Sequence, residues 1–218
     1  MRQITMLQDQ AYEIMIEKIK KQELESGQIY SLNQIAKKMG ISKTPLRDAV
    51  MMLAKERYVD IIPSRGFMLH TMSESDIHET YQFRHAIEIY CLRRLAENID
   101  TARGREYYDK MARKAAEQAK LIREDAGVES IVRKDYEFHR SLVQYLDNSE
   151  MLEIYRNYMY RMFRFNVHAL QSGGRREGTI EEHEAILKAV IDKDYDLLEK
   201  LVAFHLDIAR IINLSQLP

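Results

Sequence analysis

Asp135 and His139 stand four residues apart, and the apolar stripe of Ile131, Phe138, Leu142 and Leu146 runs along the same helical face. Two further imidazoles repeat the pattern. His183 shares its face with Ile186, Leu187 and Val190, and His205 shares its face with Leu198, Leu201, Ile208 and Ile212. All four groups therefore turn toward an apolar interior, where a carboxylate is costly unless it is paired. A divalent cation among one Asp and three His would supply the compensation, and nitrogen and oxygen donors suit Zn, Ni, Mn, Fe or Cu without choosing between them. One histidine on an apolar face is more often a hydrogen-bonded core residue, and Asp135 with His139 could form a simple ion pair. Four such residues on three successive amphipathic patterns favour the metal.

Arg84 poses the same question with the opposite sign. It lies on the stripe of Ile77, Tyr81, Ile87 and Cys91, so its charge needs an anion, either Glu88 one turn on or a bound carboxylate. Arg161 and Arg164, on the segment of Tyr155, Tyr158, Met162 and Phe165, are lesser candidates for the same cavity. His70, His78, His85 and His168 lack a consistent placement and read as structural or surface residues.

A second set of residues lies near the N-terminus. Ser42, Lys43, Thr44 and Arg47 fall in the first turn and a half of a predicted helix with Pro45 in its first turn, where the missing N–H costs nothing. Hydroxyls and backbone N–H groups at a helix start suit phosphate, and Arg47 could reach the acceptor edge of a guanine. Lys37, Lys38, Lys43, Arg47 and Arg65 would converge on phosphates, with Gly66 permitting close backbone approach to the duplex. Any one of these cations could belong to an ordinary solvated face; their order along the chain favours DNA.

The elements that must hold these groups follow from the periodicity. Residues 6–25 read as an amphipathic helix on Leu7, Ala11, Ile14, Met15 and Ile19, ended by Gly27. A short helix follows Ser31, with Leu32, Ile35, Ala36 and Met39 on one face. Gly40 supplies a turn into the helix that starts at Ser42. The pattern then changes to strand, turn, strand over 58–62, 63–66 and 67–70. Beyond residue 72 the reading is all helical: about six helices over 76–98, 101–124, 128–146, 149–170, 179–192 and 194–213, with Thr179 to Glu182 as a capping box after Gly173-Gly174. The fold class is mostly α, with an N-terminal winged helix-turn-helix over 1–72 and a C-terminal helical bundle over 73–218.

Bulk properties agree with two soluble domains in 218 residues. Residues 1–72 hold eleven Lys and Arg against eight Asp and Glu, a net +3, and the remainder carries −4. This modest asymmetry points a polyanion toward the front. The single cysteine, Cys91, excludes a disulfide framework. The absence of an apolar leader or membrane-spanning run makes the cytoplasm the expected location.

The stretch Ile41-Ser42-Lys43-Thr44-Pro45-Leu46-Arg47-Asp48-Ala49-Val50, with Pro63-Ser64-Arg65-Gly66, resembles the winged-helix domain of GntR-family regulators. That family typically reads Ser-Arg-Thr-Pro-Val-Arg-Glu-Ala-Leu here, so the chain departs at Lys43, Leu46, Asp48 and Val50. Lys43 lacks the bidentate fork of an arginine. Leu32 stands where an acidic residue is usual, and Arg57 where glycine is usual. The set Asp135-x-x-x-His139, Glu182-His183-Glu184-Ala185-Ile186 and His205-Leu206, with Tyr81-Gln82-Phe83-Arg84 and Glu88, resembles the effector-binding FCD domain of the FadR-type branch. The resemblance implies a homodimer on near-palindromic operator DNA, and a metal that helps hold a small carboxylate effector. The expected function is a ligand-responsive repressor. A helical metalloenzyme, a hydrolase using the Asp/His site, is the rival reading, but it leaves the N-terminal domain without a role.

Overall fold

The computed structural model describes residues 7–20, 23–169 and 175–217, and divides into two compact units, Met1–Thr71 and Met72–Pro218. Helix α1 (Leu7–Lys20) buries Ala11, Met15 and Ile19 but leaves Leu7 and Ile14 exposed, so its inward face is narrower than the periodicity suggests. Residues 23–25 are not helical, which shortens the expected element at its C-terminal end.

Helix α2 (Leu32–Met39) stops at Gly40, whose φ of 66° is left-handed and lets the N–H of Ile41 reach back to the carbonyl of Ala36 at 3.1 Å. Helix α3 (Lys43–Lys55) buries Leu46, Ala49, Val50 and Leu53, the spacing that packs one face of a helix. Past the end of α3, Arg57 takes the left-handed conformation, φ 59°, at the position where a glycine would be easiest.

Strands β1 (Val59–Ile62) and β2 (Gly66–Leu69) pair antiparallel, Val59 with Leu69 and Ile62 with Gly66. The alternation leaves Phe67 and Leu69 buried. Tyr30 adds a bridge that the sequence did not announce. It exchanges two backbone hydrogen bonds with Phe67, at 2.7 and 3.1 Å, and its ring stacks on the Phe67 ring.

The second unit is all helical among the described residues: α4 (Glu74–Glu97), α5 (Ala102–Arg123), α6 (Val128–Gln144), α7 (Ser149–Ala169), α8 (Arg175–Asp192) and α9 (Tyr195–Leu214). Ser73 and Asp76 close a reciprocal capping box at the start of α4. The core gathers Ile77, Leu95, Met111, Phe138, Leu142, Tyr155, Ile186 and Val190 from α4 to α8, and Leu198, Val202 and Leu206 from α9. Cys91 lies inside it, its thiol pushed up to about 12 by burial. Helix α8 begins four residues before the expected capping box. Thr179 is therefore interior, and its hydroxyl donates to the carbonyl of Arg175 at 2.8 Å. Gly173 and Gly174 lie outside the described residues. No helix among them is long and apolar enough to cross a membrane.

Candidate metal centre and nucleic-acid interface

Helix α6 supplies Asp135 and His139, α8 supplies His183 and α9 supplies His205, and all four are buried. The amphipathic spacing of each helix brings its imidazole to one point. His139 Nε2 stands 3.3 Å from His183 Nε2 and 3.2 Å from His205 Nε2, and the three ligand atoms lie within 4.8 Å of one another. Asp135 stands beside them, one carboxylate oxygen 3.6 Å from His183 Nε2 and the other 3.9 Å from His139 Nε2.

The far nitrogens decide what that meeting point can be. His139 Nδ1 is 2.9 Å from Glu88 Oε2, and His205 Nδ1 is 2.6 Å from Glu182 Oε2. An ionised carboxylate only accepts hydrogen bonds, so both Nδ1 atoms carry the proton and donate. In the neutral form that a metal ligand must take, both Nε2 atoms are then bare lone pairs, facing each other at 3.2 Å in a buried site. Two acceptors at that separation repel unless a cation lies between them. Nitrogens about 2.0–2.1 Å from a shared ion stand roughly 3.0–3.4 Å apart, so the donor set fits a divalent metal in both chemistry and spacing.

The carboxylates remain ionised for reasons visible around them. Burial alone would raise the Glu88 pKa, but Arg84 and His139 outweigh it and hold the carboxyl well below its ordinary value. Burial likewise opposes the ionisation of Glu182, and is overcome by the hydrogen bonds from His205 and Arg175. Arg175 Nη2 donates to Glu182 Oε2 at 2.9 Å. Burial pushes the His183 imidazole well below 6.5, with His205 and His139 adding to the effect; this keeps it neutral and competent as a ligand.

Arg84 is 1% exposed, and its Nε donates to Glu88 Oε1 at 2.7 Å. Tyr155 donates its hydroxyl to the same oxygen at 2.8 Å. The Glu88 pairing accounts for the arginine's charge, yet among the described residues Arg84 Nη2 is buried without a hydrogen-bond partner, as is Asn213 Oδ1. Asn213 Nδ2 donates to the Tyr81 hydroxyl at 2.8 Å, and the Arg84 guanidinium lies over the Tyr81 ring. Asn213, Glu182, Arg175 and Tyr155 escaped the sequence reading as site residues. Asn213 could have been noticed as an amide on the buried side of α9. Glu182 and Arg175 become visible as site residues only once α8 is known to start at Arg175. Arg161 lies on α7, but its side chain is outside the described residues, as are those of Arg164 and His168.

In the first unit Lys37, Ser42, Lys43, Thr44, Arg47 and Arg65 are all exposed. Ser42 has the extended backbone of an N-cap, but its side chain makes no capping hydrogen bond. Arg47 lies 3.6 Å from Asp48. Arg65 follows Ser64, left-handed at φ 60°, at the tip of the hairpin. Gly66 has a reason within the unit itself: at φ 137°, a Cβ there would stand 2.0 Å from the carbonyl oxygen of Tyr30. Close backbone approach is required, and its partner is the chain's own Tyr30.

Comparison with known proteins covers both units. Residues 7–69 match the family described as bacterial regulatory proteins, gntR family, and residues 79–208 match the FCD domain. Over 190 residues the chain is 26% identical to the gluconate operon transcriptional repressor of Bacillus licheniformis, covering 84% of this chain and 75% of that one. Its fold is similar to that of a GntR transcriptional regulator from Rhodococcus sp. RHA1, with TM-score 0.73 at 20% identity over 97% of this chain and 99% of the other. It is also similar to the metal-free FCD domain of TM0439, with TM-score 0.54 at 16% identity over 66% of this chain and 96% of that domain.

Proposed function

Because the chain belongs to the GntR family of bacterial transcription regulators and carries an FCD domain, we propose that it is a cytoplasmic, homodimeric repressor whose C-terminal unit senses a small organic acid at a divalent metal. The chain is a DNA-binding regulator and not an enzyme, which sets the hydrolase reading aside. Relatives in two Bacillus species are named as repressors of the gluconate operon, which supports repression here.

Asp135, His139, His183 and His205 would hold the metal. When bound, it supplies a positive centre for a carboxylate oxygen of the effector. Glu88 and Glu182 fix the orientation of His139 and His205. Arg84 offers its free Nη2 to the effector's carboxylate, an anion that also satisfies an otherwise costly buried donor. In the other unit Arg47 reads a base edge, while Lys37, Ser42, Lys43, Thr44 and Arg65 hold phosphates. The effector shifts the population between dimer states that place two DNA-reading heads differently on a near-palindromic operator.

The observation that carries this reading is the pair of buried Nε2 atoms 3.2 Å apart, each on a ring whose Nδ1 faces a carboxylate. The test is the metal content of His183→Ala/His205→Ala, with circular dichroism to verify the fold. The variant should contain no stoichiometric metal, against one ion per chain in the parent. Full occupancy in a folded double variant refutes the assignment.

A further inference from the structure

Helix α9 contributes to the core through Leu198, Val202, His205 and Leu206, yet the flank beside that face is also apolar. Leu197, Phe204 and Ile211 are 41%, 57% and 58% exposed and recur every seven residues, with half-buried Leu201 and Ile208 between them. In heptad terms Leu201 and Ile208 occupy a, and Leu197, Phe204 and Ile211 occupy d, the seam of a two-helix coiled coil. The core face of the helix is committed to the bundle and Leu201 rests on its edge, but Leu197, Phe204 and Ile211 of the outward seam stay exposed among the described residues.

We infer that this seam is the homodimer contact, with α9 packing antiparallel against α9 of a second copy across a two-fold axis. The inference rests on the homodimer reading above and assigns its surface. Charge selects the occupant and the register. Lys200 and Asp207 are exposed and both fall at g, beside the seam. Antiparallel helices bring g against g, and the register that layers Leu201 on the partner subunit's Phe204 sets Lys200 beside the partner subunit's Asp207, twice by symmetry. Shifting the seam so that Phe204 layers on the partner subunit's Ile208 instead brings Asp207 toward the partner subunit's Asp207, a like-charge contact. A parallel pairing would bring g against e, where His205 is buried and Ile212 is uncharged, so Lys200 would gain no opposite charge and Asp207 would keep only the Arg210 of its own helix, 3.0 Å away. Of these three arrangements, the charges favour only the first antiparallel one.

The test is the dimer dissociation constant of the full chain by sedimentation equilibrium. Phe204→Glu alters a surface side chain and should raise it about 30-fold or more, as expected for a central anchor. Lys200→Glu and Asp207→Lys should each weaken the dimer, and the two together should restore it; this recovery does not depend on how well Phe204→Glu folds. A wild-type dimer whose constant is unmoved by any of these changes overturns the surface while leaving the homodimer reading intact. A wild-type monomer at micromolar concentration overturns both.

Discussion

Glu88 accepts from Arg84, Tyr155 and His139 at once, and so links the buried arginine to an imidazole of the His139, His183 and His205 cluster. A change at either end is felt at the other through one carboxylate, whose charge Arg84 and the hydrogen bond from His139 maintain. Arg47 is a simpler case: it is exposed, and the role proposed for it is a hydrogen-bond pair with a base. Arg47→Ala should weaken binding to a duplex selected from random sequence by about 1–3 kcal/mol, measured by fluorescence anisotropy at fixed salt. Equal affinity of the variant and its parent for that duplex would remove Arg47 from base reading. The inward placement of Asp135, His139, His183 and His205 was legible in the sequence because each shares a helical face with apolar residues. The hydrogen bonds of Glu182 and Asn213 were not, because periodicity reports which way a side chain turns and not which distant element meets it.

At the scale of elements, the wing shows how local rules and long-range contacts divide the work. The hairpin itself follows from alternation around Pro63 to Gly66. Its need for a glycine at position 66 follows from Tyr30, more than thirty residues earlier. Gly66→Ala would have to adopt φ near 137° and push its Cβ into the Tyr30 carbonyl. The variant should lose about 3 kcal/mol of stability in the first unit, read as a lower denaturant midpoint of its transition in the full chain. An unchanged midpoint would mean that the bridge from Tyr30 to Phe67 is dispensable. Helix α8 teaches the complementary lesson. The Thr179 capping box is a valid local signal that loses to a longer helix, because buried Arg175 gains the Glu182 carboxylate seven residues on.

For the whole molecule, the two units do different physics. The first exposes cations and hydroxyls on a short helix and a hairpin tip. The second buries a few charged groups, among them Arg84, Glu88, Asp135 and Arg175, inside a helical bundle, where each must be compensated. Regulation requires that what fills the second unit alters what the first can bind, and linkage makes that coupling reciprocal. The central claim is that metal and acid together supply this signal. Its most direct measurement is the affinity for the selected duplex, by anisotropy, across a panel of small carboxylates, with metal-loaded and chelator-treated protein side by side. The metal-loaded protein should shift its affinity about 5- to 150-fold with an acid from the panel, and the chelated protein should not respond. An equal response from both would contradict the account.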